Sequence, residues 1–564
     1  MAVGVVVLWL SGSALAGGVT SPVAVFPPHN ATGEAGLDWV AVGLQDSLTV
    51  NLWYVSALHT KAMPQFSETL RERCPEMALS CVAGQNLADW RQLAQAQTYG
   101  GFLWGEYRRE GEEWVLRLGW YDAQAERPLT EQTVRRRSLP EVLAASSDAL
   151  LVVLANRGIA VSDAERDRIR APQTTVLVAW EQNARGFWEQ QRYHVAHEDV
   201  QRQGIQIAWE RDLRAAVQAD PDYAEAWNNL GWQQHIVKTA SKADRSSPCL
   251  PADGLPESAN PMNETGALNT DAIFQLALQR KPEMVDALVG RGEALQKKPV
   301  EALPWYERAV ALNPSLAYHR QLLLDTYLEA KLPKAGLAQL MVLDEQLRRL
   351  GREAERQALN DWRGRYHEAL QQWSQALAVY EDWDTYLAQS GDAACRQCRL
   401  DLAIRLRVTG ENLAKQNQPQ EAEAYLRRAL AIREAVLGTE LAAATRLTLK
   451  ALAEVVEQQG RIDEARVLLE RAEANLAQVL ATQKQKLGGD ALQGVVRDWW
   501  QAFEKENAGQ EITILLLFEE LESRQASLDD FFQAYVNSEA NSIPGVLSFM
   551  DQQPVKTMPP ASTL

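Results

Sequence analysis

His194 and His197, with Glu198 beside them, come nearest to residues placed for chemistry, since two imidazoles three apart on a helix reach one side and can share a metal ion. The spacing is not that of His-Glu-x-x-His, and no third ligand is evident. Among seven histidines a chance pair is ordinary, so a surface helix is the plainer reading. Cys395 and Cys398 form a Cys-Arg-Gln-Cys pair, which reads as a zinc half-site, a redox pair or a structural disulfide. Zinc needs a second pair, for which Cys74 and Cys81 are badly spaced, and thioredoxin-like chemistry needs a strand and a helix where these flanks read as helical. A structural disulfide is favoured. Cys74 and Cys81 bracket a short Pro-containing loop and read as a second bridge, leaving Cys249 over. Gly-x-x-x-x-Gly-Lys-Ser/Thr, Gly-x-Ser-x-Gly and Gly-x-Gly-x-x-Gly are all absent, so neither a catalytic, a metal-ligating nor a cofactor-binding residue is expected.

The elements that would position these residues are mostly helices in pairs. Gly410, Leu413, Asn417, Ala422, Leu426 and Ala429 align with Ala453, Val456, Gly460, Ala465, Leu469 and Ala472 at a constant offset of 43 residues. Within each copy Ala422 and Ala429, or Ala465 and Ala472, stand seven apart on one helical face, so that two helices approach closely there. Asn417-Gln418-Pro419 and Gln459-Gly460-Arg461 break each copy into two helices. A helix pair of this size cannot bury its own apolar stripe and must stack on neighbours, which predicts an all-α solenoid. The pattern looks like the tetratricopeptide repeat. The same grammar recurs upstream in Trp227, Leu230 and Gly231, in Phe274, Ala277 and Pro282, in Leu288 and Gly292, in Tyr306, Ala309 and Pro314, and in Gly364, Ala369, Trp373 and Ala376. Trp227, Leu230, Gly231, Gly292, Ala309, Ala369, Ala376, Ala422, Ala429, Ala465 and Ala472 are expected to be packing residues. The solenoid is placed at 179–485. A loop rich in Ser, Pro, Asn and Gly is inserted at 238–269, between the two helices of one repeat.

Composition agrees with a folded chain of several domains, with 46% hydrophobic and 23% charged residues over 564 positions. A net charge of −17 repels phosphate backbones, so nucleic acid is not an expected partner. The apolar run Val3 to Leu10, followed by Ala14-Leu15-Ala16, reads as a secretory signal over 1–18 cut after Ala16, although no Lys or Arg precedes it. The other reading of this run is a buried strand, or a start codon misplaced downstream. No further run approaches the length of a spanning helix, so no transmembrane span is expected in the mature chain.

Residues 20–155 follow a different pattern. Val23 to Phe26 reads as a strand, Leu37 to Val55 as an amphipathic helix, Gly100 to Tyr107 and Trp114 to Trp120 as an antiparallel hairpin around Gly111, and Leu139 to Ala155 as a closing helix. This argues a small α/β sandwich with one covered sheet face. Val23-Ala24-Val25-Phe26-Pro27, Asn30-x-Thr32-Gly33, Leu37-Asp38-Trp39 and Gly43-Leu44-Gln45-Asp46-Ser47-Leu48 together resemble the amino-terminal domain of the TolB type, and Gly101 to Tyr107 with Trp114 to Asp122 are similar to its later hairpin. The resemblance implies a non-catalytic accessory or assembly domain in the bacterial envelope. A charged linker is placed at 156–178, capping helices at 486–545 and a disordered tail at 546–564.

The chain so read is multidomain, a periplasmic or secreted scaffold whose repeat groove holds a partner protein or peptide. Two other readings compete. The same domain pair also looks like the carboxy-terminal half of cytoplasmic cyclase or transcription-regulator chains, and a zinc enzyme would use His194, His197 and Glu198.

Overall fold

The computed structural model describes residues 23–58, 71, 74, 77–96, 99–122, 128–171, 173–196, 199–240, 269–390, 393–437, 442–472 and 474. The expected signal peptide, His197, Glu198, Cys249, nearly all of the inserted loop, the capping helices and the tail lie outside these residues, as does the side chain of Cys395. The chain divides at Tyr380 into two compact units.

The first unit begins with a sheet. Strand β1 (Val23–Val25) and the short β2 (His29–Asn30) both run parallel to β3 (Gly101–Glu110), which forms an antiparallel hairpin with β4 (Glu113–Tyr121); β5 (Thr130–Arg136) pairs antiparallel with β4. The turn is closed by Gly111 at φ +61°, where a side chain would be strained. Gly105 is needed for another reason, since a Cβ there would meet the Arg117 carbonyl oxygen of β4 at 1.9 Å. Aromatic rings fill one end of the sheet, with Phe26 stacked on Trp90 at 4.8 Å and Phe102 on Tyr121 at 5.4 Å. Helix α1 (Trp39–Leu52) is buried along its whole length. Helices α2 (Leu79–Ala83) and α3 (Leu87–Ala96) follow it. The Cys74–Cys81 disulfide forms, and the Met77 carbonyl inside its loop accepts a hydrogen bond from Trp188 Nε1 at 2.9 Å.

The expected closing helix is two helices, α4 (Leu139–Ala144) and α5 (Ser146–Asn156). By length and composition the window Leu139–Asn156 is apolar enough to cross a membrane, a feature the sequence reading passed over. Here Leu139, Val142, Leu143, Leu150, Val153 and Leu154 are buried in the core. The stretch expected as a charged linker contains α6 (Asp163–Arg170). Ser162 and Glu165 form a reciprocal capping box at its start, and Ile169 is fully buried. Charge at both ends hid this helix, because acidic residues in its first turn and basic ones in its last complement the helix dipole.

Beyond it come helix pairs: α7 (Leu177–Val195) with α8 (Asp199–Ala219), α9 (Ala224–Ala240) with α10 (Thr270–Arg280), α11 (Val285–Ala294) with α12 (Pro299–Leu312), α13 (Ala317–Glu329) with α14 (Pro333–Arg349), and, after the short α15 (Glu353–Ala358), α16 (Asn360–Ala369) followed by α17 (Trp373–Ser390). The first helices α7, α9 and α11 also pack on one another. Phe274 of α10 wedges between neighbouring first helices, since a Cβ on Gly231 or Gly290 would come within 2.7 or 2.3 Å of its ring. A Cβ on Gly292, chosen from the sequence, would instead meet the Tyr306 ring at 2.5 Å.

No tether separates this array from the sheet, because one apolar core runs from Val23 to Tyr366. A Cβ on Gly43 of α1 would meet Ala184 and Trp180 of α7 at 3.1 Å, so the two helices approach closely there. Past α1, the backbone at 53–57 runs across the connections between successive repeats. Asn313 Nδ2 donates to the Trp53 carbonyl at 2.7 Å, Ser315 Oγ to that of Ser56, and Arg352 to that of Ala57, while Glu165 accepts from the Ser56 N–H at 2.8 Å.

The second unit contains α18 (Ala393–Lys415), α19 (Pro419–Leu437), α20 (Ala442–Gln458) and a helix at 462–472. Ala422, Ala429, Ala465 and Ala472 are buried. A polar ladder links the copies. Glu423 accepts from Arg461 at 2.7 Å, Arg427 at 2.7 Å and Gln459 at 2.9 Å, and Asp384 accepts from Arg399 at 2.6 Å and Arg428 at 2.9 Å.

One turn recurs in both units. Lys331, Gln371, Asn417 and Gly460 all adopt positive φ, from 58° to 80°, at the end of a first helix. At each, the next N–H bonds back five residues, as Leu332 to Tyr327 (2.9 Å), Gln372 to His367 (2.8 Å), Gln418 to Leu413 (3.0 Å) and Arg461 to Val456 (3.1 Å). This is the Schellman closure, which satisfies the helix's last carbonyls and reverses the chain.

Candidate functional site

The helix-pair geometry leaves one face of the first helices to other partners, and in the first unit that face is polar. Asn228, Trp232 and His235 occupy positions i, i+4 and i+7 of α9, so they line one side of the helix. Asp286 and Glu293, also i and i+7, do the same on α11. Asp286 Oδ2 accepts from Asn228 Nδ2 at 2.6 Å and from Trp232 Nε1 at 2.8 Å. Glu293 Oε1 accepts from the hydroxyl of Tyr318 on α13 at 2.9 Å, and its Oε2 lies 3.9 Å from His235 Nε2. Asp286 is half-buried and the Glu293 side chain keeps 13% of its surface. Burial nonetheless pushes Asp286 up to about 6 against the pull of its two donors, and raises Glu293, to which Glu329 adds. Flanked by α9 and α13, each acid keeps some contact with solvent while desolvation governs its charge.

One layer deeper, Asp46 of α1 receives Asn229 at 3.3 Å and Asn183 at 3.4 Å, and burial holds its pKa up to about 7, with Glu225 and Asp286 adding to the rise. This group joins α1 to α7 and α9. Between Asp46 and Tyr318 the molecule thus sets carboxylates, amides and aromatic rings side by side, an arrangement that can bind and offers no nucleophile paired with a base.

Trp227, Leu230, Gly231, Gly292, Ala309 and Ala376 are buried. Ala369 is exposed, which corrects its assignment. It is the last residue of α16, just before the left-handed Gln371, and the position equivalent to Ala422 falls to Ala376, twelve residues after Gly364 as Ala422 is after Gly410. The turn Asn30 to Asp38 is built on itself: Asn30 Nδ2 donates to Asp38 at 2.7 Å, and the Thr32 N–H to Asn30 Oδ1 at 3.1 Å. Its residue pattern serves backbone geometry. His194 is partly buried, its Nε2 has no partner among the described residues, and burial lowers its pKa. Among the described residues no group of three or more His, Cys, Asp or Glu is placed to hold a metal ion. Cys398 is buried on α18.

Residues 406–478 match the tetratricopeptide repeat family model. No curated protein matches the chain. Residues 406–478 therefore carry tetratricopeptide repeats within a mostly helical chain, and such repeats suggest a scaffold for protein interactions. Asn228, Trp232, Asp286 and Glu293 escaped the sequence reading. The only signal was their i, i+4, i+7 spacing on first helices, which any solvated helix face also shows.

Proposed function

We propose that the chain is an exported, non-catalytic scaffold of the bacterial cell envelope, in which a helical solenoid downstream of residue 179 holds a partner protein or peptide along its first helices. The repeat-family match over 406–478 carries this reading, and the stacked helix pairs upstream of it extend the same architecture. The TolB-type reading of 20–155 is supported by the strand, the Asn30 turn and α1 standing in the expected order. An oxidising compartment is supported by the Cys74–Cys81 bridge. The domain scheme keeps a signal at 1–18 and an inserted loop at 238–269.

The test is cross-linking in intact cells, followed by purification from envelope and cytosolic fractions, sequencing of the mature amino terminus, and mapping of cross-linked peptides. The reading expects a chain beginning after Ala16 in the envelope fraction, with one partner linked to first-helix residues. A chain retaining Met1 in the cytosol would sink the export assignment, and cross-links confined to 20–155 would sink the groove.

A further inference from the structure

Some buried acids of the first unit have a cation beside them, whereas Asp46 and Glu165 are held by amide, hydroxyl and backbone donors among the described residues. Glu210 pairs with Arg214 at 2.6 Å and Glu225 with Lys281 at 2.9 Å. Asp286 and Glu293 have no Lys or Arg partner among the described residues. Both donors to Asp286 use Oδ2, so Oδ1 is left without a protein donor there, and Glu293 Oε2 has only the distant His235 ring. A second observation points the same way. Asn228 is 1% exposed, its amide nitrogen lies on Asp286, and its Oδ1 has no hydrogen-bond partner among the described residues. Two acid oxygens on α11 and one amide oxygen on α9 thus lack a close donor among the described residues, and a buried acceptor without one costs roughly 1–3 kcal/mol. Trp232 and Tyr318, the latter 47% exposed, set ring surface beside them.

We infer that the polar face shared by α9, α11 and α13 takes the cationic side chains of an extended partner segment, arginine above lysine; this rests on the scaffold reading and gives its partner a chemistry. A guanidinium brings five donors in a fixed fork to carboxylate and amide oxygens and stacks on aromatic rings, which an ammonium does less well. The net charge of −17 draws such a segment in from a distance. Asp286 and Glu293 are seven residues apart on one helix, so their Cα atoms are separated by about 10 Å. A polyproline-II chain returns its side chains to one face every three residues, about 9 Å. Arginine at every third position therefore matches the pair.

The probe is a fluorescein-labelled peptide, acetyl-Arg-Pro-Pro-Arg-Pro-Pro-Arg-amide, titrated with the full chain and read by fluorescence anisotropy, alongside versions carrying Gln or Glu in place of Arg. The Arg peptide is expected to bind at least tenfold more tightly than the Gln peptide. Asp286→Asn combined with Glu293→Gln is expected to weaken it tenfold or more. Asp163→Asn with Asp463→Asn makes the same charge change at side chains 99% and 95% exposed, and is expected to leave binding within twofold. Equal losses in the two pairs, or no preference for Arg over Gln, would overturn the inference. Glu293→Lys, with circular dichroism as the folding check, is expected to move preference to the Glu peptide, and an unchanged preference in that folded variant would overturn it too. If cross-linking in cells finds a partner on α9, α11 and α13 through a segment with no Arg or Lys, this inference fails and the scaffold reading stands. If cross-linking finds no partner on the array, the scaffold reading itself fails.

Discussion

The two compact units use one kind of helix pair under different obligations. Beyond Tyr380 the described helices pack on one another, and the 43-residue grammar with Ala422, Ala429, Ala465 and Ala472 is clean enough for the family model to match 406–478. Before Tyr380 the pairs also carry a sheet domain on their connections and first helices. There Asn183, Asn229, Asn313 and Ser315 are committed to α1 and the segment after it. Residues spent on a second interface no longer spell the repeat, so a weak repeat signal marks where an array is covered by its own chain.

The largest test of that contrast is cooperativity. Phe274→Ala is expected to cost about 3–5 kcal/mol, as deletion of a fully buried phenyl does. If sheet and first repeats share one core, Phe26→Ala lowers the same calorimetric transition as Phe274→Ala and leaves the transition of the 380–474 unit in place. Separate shifts for the two variants would split the first unit in two.

Next comes pH. The folded-state pKa of Asp46, about 7, lies above its ordinary 3.8, so the native state holds this proton longer than the unfolded chain. Its stability is full below pH 4 and is lost as pH rises through 7, by up to about 4 kcal/mol. Asp46→Asn is expected to flatten that slope in urea melts between pH 5 and 8. The ladder of the second unit has the opposite sign. Burial acts against Glu423, but hydrogen bonds from Arg461, Arg427 and Gln459 outweigh it and hold its pKa below the ordinary glutamate value. Its contribution is present at neutral pH and is lost as pH falls below about 4.5, so Glu423→Gln is expected to alter only the acid limb of that unit.

Removing the Cys74–Cys81 bridge with a Cys74→Ser, Cys81→Ser pair is expected to cost about 2–3 kcal/mol for so short a loop. The loss falls in the first unit alone, and equal losses in both transitions would contradict the division at Tyr380. Smallest is relief at the left-handed turns. Gln371→Gly or Lys331→Gly is expected to stabilise by about 0.5–1 kcal/mol, and Asn417→Gly by less, because asparagine tolerates this conformation better. Thermal melts that rank Asn417→Gly first would refute the strain argument.

Local periodicity made the helices, their turns at Asn417 and Gly460 and the hairpin at Gly111 legible, because each is fixed by residues close in sequence. The parallel pairing of β1 with β3 was hidden, since Val23 and Gly101 meet through tertiary packing. So was α6, whose single fully buried apolar residue, Ile169, leaves almost no stripe to read. The polar face of the first helices was least legible. Asp286 and Glu293 are ordinary surface acids by pattern, and only the stacking of α9, α11 and α13 turns them into neighbours of Asn228 and Tyr318.

The bonds from Asn313 and Ser315 to the carbonyls of Trp53 and Ser56 span 260 and 259 residues of chain. During vectorial synthesis, at roughly 5–20 residues per second, the amino-terminal part waits about 13–52 s for these donors to emerge. For that interval its nascent surface is incomplete, and a holding chaperone has a defined window in which to act.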